Sequence, residues 1–260
     1  MIDTHTHLYL VDSFPDGGSE AVREAICAGV DRMILPNIDL ESVAPLLSLH
    51  KLFPSQTFVT AGLHPTEVGD DWKKELKEIF ERFADYRIVG IGEIGLDMHW
   101  EKKFIVRQMD ALAAQLELAS AMGIPAIIHS RDASDETVEV LKMMGSGLPE
   151  LVFHSFTYSP KEAEAFLSVA EHAYFGFNGV VTFKNAREVR DSALFVGIDR
   201  IVAETDSPYL APVPFRGARN QSAYLPYIIR TIAETLSIDL PEAEKIITDN
   251  SEKLFHLTTP

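Results

Sequence analysis

Residues 88–129 read IVGIGEIGLDMHWEKKFIVRQMDALAAQLELASAMGIPAIIH. Ile88–Ile94 is a short apolar and glycine run, the pattern of a strand covered on both faces. In Lys103–Met122 the residues Leu112, Leu116 and Ala119 recur at helical spacing, and Gly123 with Pro125 ends the helix. Ala126–His129 is then a second apolar strand. Outward from this stretch the alternation continues. Further strands are expected at Ile2–His7, Arg32–Asn37, Thr57–Leu63, Leu151–Ser155, Ala173–Phe177 and Arg200–Glu204. Asp71–Phe83 mixes lysine and glutamate with Leu76, Ile79, Phe80 and Phe83, an exposed helix with one apolar stripe. Roughly eight β-then-α units in a chain of this length describe one α/β fold, a single (β/α)8 TIM-type barrel.

Composition fits that reading and narrows the function classes. The chain has 260 residues, 46% hydrophobic and 24% charged. There is no Ser/Gly-rich linker or composition shift, so residues 1–260 are expected to form one domain. Such a core needs no disulfide or structural metal, and the lone Cys27 cannot form an internal bridge, which fits a reducing cytoplasm. The start MIDTHTH lacks a secretory leader's charged and apolar regions. No apolar run approaches the roughly 18 residues that cross a membrane. Lys and Arg total 23 against 39 Asp and Glu, a net charge of −16. Bulk charge therefore cannot attract a polyanion, and any phosphate chemistry must be local.

A barrel of this kind carries its chemistry at the C-terminal ends of the strands. His5 and His7 close the first strand, and their i, i+2 spacing points both imidazoles to one face. Glu93 lies near the end of the fourth strand, His129 ends the fifth, His154 the sixth, and Asp206 follows the eighth. Taken singly, each could be a polar residue of the rim. Five strand ends bearing ionisable groups at one mouth point instead to a shared ligand, because a core pays heavily for unpaired polar groups. Four imidazoles and two carboxylates suit Zn, Mn, Fe or a Mg/Mn pair better than a calcium cage. The residues are scattered from position 5 to position 206, so the fold must assemble them, as in a catalytic rather than a structural site. Six ligands exceed one ion's need and suggest two ions sharing a carboxylate, with Glu93 as the bridge.

The sequence at this point resembles the TatD-type metal-dependent DNases, a branch of the amidohydrolase-like hydrolases. IDTHTHL, AGLHP, IGEIGLD, IPAIIHSRDA, FHSF, FNGVVTFKNA, AETDSPYL and RGARN appear in the family's order, nearly end to end. The resemblance implies a barrel with its metal site at the C-terminal mouth and hydrolysis of DNA phosphodiesters. It further implies action from the 3′ end of single strands, with RNA a further substrate, by hydroxide activated on one or two divalent ions. Mg or Mn leads, with Zn a third candidate. By the same resemblance His5, His7, Glu93 and Asp206 hold one ion, and Glu93, His129 and His154 the other. Glu93 and Asp206 are the catalytic carboxylates, Asp206 accepting a proton from the nucleophile. His64, Arg131, Arg216 and Arg219 contact substrate phosphate.

Three stretches depart from the family pattern. RNQSAYL replaces RNEPAYL, so Gln221 and Ser222 stand for a carboxylate and a proline and are expected to loosen the loop or change what Arg219 pairs with. Tyr158 stands where glycine is common, and Met98–Trp100 differ from a Tyr-containing run. The aromatic candidates for stacking a terminal base are Phe156, Tyr158, Phe183 and Trp100, with plain packing favoured for Phe156 and Phe183. His50, His99, His172 and His256 read as ordinary. The runner-up function keeps the barrel and metals but takes a small amide, lactone or phosphoester, and a closed apolar pocket would favour it. The chain is read as a cytoplasmic monomer without a membrane segment.

Overall fold

The structure, a computed structural model, describes residues 1–99 and 102–257; Trp100 lies outside them. Eight strands alternate with helices: β1 (Ile2–Asp3), α1 (Ser19–Cys27), β2 (Arg32–Leu35), α2 (Val43–Leu52), β3 (Thr57–Ala61), α3 (Trp72–Arg82), β4 (Ile88–Asp97) and α4 (Ile105–Met122). The second half continues with β5 (Ala126–Arg131), α5 (Ser134–Met144), β6 (Leu151–Phe153), α6 (Pro160–Leu167), β7 (Tyr174–Phe177), α7 (Arg187–Val196), β8 (Ile201–Ala203), α8 (Leu225–Leu236) and α9 (Leu240–Leu254). Each strand pairs in parallel with the next, in the order β1 to β8. The N–H of Thr4 donates to Ala203 O at 3.1 Å and that of Asp206 to His5 O at 2.9 Å, joining the first strand to the last. The result is the expected (β/α)8 barrel.

The helices bury the faces that their periodicity assigned. In α4, Leu112, Leu116 and Ala119 are fully buried, and Gly123 caps the helix in the left-handed conformation. In α3, Trp72, Leu76 and Ile79 are buried, as is Phe83 beyond its end, whereas Phe80 is half-buried. Inside the barrel, Ile2, Ile34, Val89, Ile127, Val152, Tyr174 and Val202 form a second apolar cluster with Leu254 and Phe255. Alternation along a strand then carries the same face toward the mouth. Two residues beyond Ile127, Val152 and Val202 stand His129, His154 and Glu204. The apolar plug and the polar site are thus two ends of one interior.

Strand ends differ from the expected spans in ways that matter for the site. The ladder of β1 stops at Asp3, because its carboxylate accepts from Thr205 N–H (2.9 Å) and Thr205 Oγ1 (2.6 Å), a side chain competing with backbone pairing. His5 and His7 therefore sit on chain just past the strand. β4 instead runs on to Asp97, paired with β5 up to Arg131. Gly95, at φ +147°, permits this: a Cβ there would collide with the carbonyl oxygen of His129.

Candidate functional site

The strand ends surround a cavity of about 720 Å³ at the barrel mouth, lined by His7, His64, Glu93, His129, His154 and Asp206 among others. Glu93 stands at its centre, and its two oxygens face different groups. Oε2 lies 3.1 Å from His5 Nε2 and 3.7 Å from His7 Nε2. Oε1 lies 2.8 Å from His129 Nδ1 and 3.3 Å from both His154 Nε2 and His64 Nε2. Asp206 Oδ1 approaches His5 and His7 at 3.9 and 3.7 Å. The six residues expected to hold metal are thus brought together, on the two sides of one carboxylate.

Hydrogen bonds at the rear nitrogens set which imidazole atoms face the centre. Tyr9 donates its hydroxyl proton to Pro36 O, so its oxygen accepts from His7 Nδ1–H at 2.9 Å and the neutral ring's lone pair is on Nε2. His154 Nδ1–H donates to Glu204 Oε1 at 3.0 Å, and Ser155 N–H holds the same oxygen at 2.5 Å. Gly176 makes room for that carboxylate, since a Cβ there would meet it. His129 bridges two carboxylates, Nδ1 to Glu93 and Nε2 to Asp97 Oδ2 at 3.1 Å. Such partners fix ring orientation and raise ligand basicity. His64 also turns Nε2 toward the centre, while its Nδ1 lies 2.7 Å from the Thr66 hydroxyl, which itself donates to Glu67 Oε1, and 3.2 Å from Thr66 N–H.

The electrostatics are those of a site that wants a cation. Burial would raise Glu93, but His154, His64 and His5 outweigh it and hold the carboxyl well below its usual range. Burial opposes charge on His154 and His129, yet Glu93 with Glu204 in one case, and Asp97 with Glu93 in the other, hold both rings above their ordinary value. Burial lowers His5 to about 4 and His7 well below its ordinary value, and raises Asp206 to about 7 against the pull of His154. Carboxylates that draw protons onto neighbouring imidazoles would equally serve a divalent ion. Three sets of donor atoms lie within 4.8 Å of one another: His5, His7 and Asp206; His5, Glu93 and His154; His64, Glu93 and His129. Imidazole and carboxylate donors on a partly open cavity fit a catalytic transition-metal or Mg/Mn site. His5 Nδ1 is buried without a hydrogen-bond partner.

Substrate residues divide. Arg131 lines the cavity. Arg216 and Arg219 do not: exposed on their loop, Arg216 stacks over the Phe183 ring at 3.8 Å, and Arg219 lies over Phe14 at 4.5 Å and donates to Ser13 O. His64 lies closer to the centre than a substrate-rim residue need be. The loop around Gln221 is not loose, because buried Asn220 donates to Thr205 O and Tyr209 O, and Ser222 Oγ meets Thr6 Oγ1. Phe156 is buried among Phe166, Phe175 and Phe177, and the Tyr158 hydroxyl is taken up by Ser130 Oγ and Ala133 N–H. Neither is offered to a base. His50, His99 and His256 lie outside the cavity against Thr57, Asp132 and Glu150, and His172 lines a separate cavity with Arg200 and Lys253. Reading from sequence missed Tyr9, Asp97 and Glu204. The last two sit inside the quoted IGLD and AETD stretches, one at the end of a strand and one just past it, and that position was the available signal.

Comparisons with known proteins point to one family. The model of the TatD related DNase family matches residues 2–256. The chain is 32% identical over 257 residues to YabD, a metal-dependent hydrolase of Bacillus subtilis (strain 168), covering 99% of each protein. It is 33% identical over 198 residues to YcfH, a metal-dependent hydrolase of Escherichia coli (strain K12), covering 76% of this chain and 73% of YcfH. The crystal structure of YJJV, a TatD homologue from Escherichia coli K12, superposes with a TM-score of 0.89 at 27% identity, covering 100% of this chain and 98% of that one. A PTE-like lactonase mutant from Deinococcus radiodurans shares the fold at a TM-score of 0.66 and 13% identity, over 98% of this chain and 95% of that one.

Proposed function

Because this chain belongs to the TatD related DNase family of metal-dependent hydrolases, we propose that it hydrolyses phosphodiester bonds of DNA, working from the 3′ end of single strands. Glu93 carries the reading: one carboxylate presents each of its oxygens to a separate cluster of imidazoles. His5, His7, Glu93 and Asp206 would hold one divalent ion, Mg or Mn, and Glu93, His129 and His154 a second. Bound there, such ions supply Lewis-acid polarisation of the phosphoryl group and a water that is acidic at neutral pH.

The chain's own groups supply the rest. Arg131 on the cavity wall pairs with a phosphate oxygen through its planar guanidinium. His64, held at Nδ1 by Thr66, presents its Nε2 edge to the substrate phosphate. Asp206 takes the proton of the attacking water as the new P–O bond forms, and that proton passes to the sugar oxygen as its bond to phosphorus breaks. Glu204, Tyr9 and Asp97 hold His154, His7 and His129 in register. We read the chain as a monomer acting as one hydrolase domain, and the exposed thiol of Cys27 suits a reducing cytoplasm.

The test is nucleotide release from 3′-labelled and 5′-labelled single-stranded DNA by protein stripped of metal and reloaded with Mn. Stepwise, metal-dependent loss from the 3′ label is expected. No digestion by metal-loaded protein would exclude DNA. Among the described residues one arginine lines the cavity, which favours a second reading, a small phosphoester, lactone or amide, to be assayed in that event.

A further inference from the structure

Among the described residues that line the cavity, Tyr209 brings the one aromatic ring besides the histidines. It stands three residues past Asp206, and its side chain is 55% exposed. The segment that carries it is fixed rather than loose. Tyr209 N–H donates to Asp206 O at 2.9 Å, and its carbonyl accepts from Asn220 Nδ2 at 2.6 Å. The next carbonyl, that of Leu210, packs so closely on Gly179 that a Cβ there would overlap it. Val213 N–H then donates to Thr182 Oγ1 at 2.9 Å, joining the loop after β8 to the loop after β7. Among the described residues, Phe156, Tyr158 and Phe183 are packed away or engaged, whereas Tyr209, on this anchored segment, is exposed beside Asp206.

The cavity is also two-sided. The end of β5 and the loop after β6 bring Ser130, Arg131, Ser155 and Thr157, hydrogen-bonding groups and a guanidinium. Those after β7 and β8 bring Val180, Tyr209 and Leu210, an apolar face. A nucleotide has the matching division, a charged phosphate on one side and a flat apolar base on the other. Every base has a π-face, so a fixed ring accepts any of them.

Resting on the DNA reading above, we propose that Tyr209, backed by Leu210, is the platform on which the terminal base stacks while its phosphate lies at Glu93. The ring then sets the preference for nucleic acid over simple phosphodiesters, without selecting among bases.

The experiment compares two single-stranded oligonucleotides, one natural and one with tetrahydrofuran abasic residues at both termini, so that polarity of digestion does not matter. Wild-type protein is expected to favour the natural strand by about ten-fold in kcat/KM. Tyr209→Ala should lose about ten-fold on the natural strand and less than about two-fold on the abasic one, whereas Tyr209→Phe retains the preference. Tyr209→Leu, which keeps apolar bulk without a ring, should behave as the alanine variant does and covers a failure of the latter to fold. Equal losses on both strands, or a wild-type protein indifferent to the missing bases, would overturn the proposal. Metal-loaded wild-type protein that cleaves neither strand would overturn the DNA reading itself, and this one with it.

Discussion

The groups behind the rings separate histidines that look alike in the sequence. His7 and His154 donate backwards, to Tyr9 and Glu204, and so turn Nε2 toward the centre. His64 rests on Thr66 and stands outside the set proposed to hold metal. His64→Ala is therefore expected to lower kcat/KM at least ten-fold while leaving Mn affinity, read by calorimetry, within about two-fold. Glu204→Gln should do the reverse and weaken Mn binding by about 10–100-fold, because His154 loses the charge that orients it. Parallel losses of metal in both variants would show that His64 is a ligand after all. Strand-end position marked His5, His7, Glu93, His129, His154 and Asp206 but not the groups behind them: those of His129 and His154 come from other strands, and those of His7 and His64 lie two residues on with no periodicity to mark them. Nor did it show that the loop of Arg216 and Arg219 lays them over Phe183 and Phe14.

Secondary-structure elements were more legible than single contacts. The buried stripe of α4 and the alternation of short apolar strands with helices follow from local periodicity, and they fix the barrel. What periodicity could not reveal was where each ladder ends. Asp3 ends β1 early by capturing Thr205, and pairing with β5 draws β4 out to Asp97. A further consequence belongs to the packing of α2 on β3. His50 on α2 meets the carbonyl and hydroxyl of Thr57, and its burial, partly offset by that hydrogen bond, holds the ring below its ordinary value near 6.5. The unfolded chain therefore binds this proton more readily than the fold does. Stability should be fully present above about pH 6.5 and decline as pH falls toward the lower folded value. Urea midpoints taken from pH 7.5 to 5.5 are expected to fall less steeply in His50→Gln than in wild type. Identical slopes would show that His50 makes no such contribution.

The whole chain carries a net charge of −16, so a polyanionic strand approaches against a repulsive field and is gripped only at the mouth. The sign of the salt effect follows. At fixed Mn, raising monovalent salt from about 10 to 100 mM shortens the Debye length from about 30 to 10 Å, and kcat/KM on single-stranded DNA should rise. A monotonic fall, as for proteins that neutralise many phosphates, would mean that a basic surface outside the cavity binds the strand. At the centre of the molecule stands the sharing of Glu93 between two sets of imidazoles. Its most direct test is the number of Mn ions bound per chain, by calorimetry with elemental analysis, in wild type and in Glu93→Gln, a substitution of nearly equal volume. Two ions per wild-type chain are expected, with both affinities weakened together in the variant. One ion per chain, or a variant in which only one of two sites weakens, would contradict the bridge.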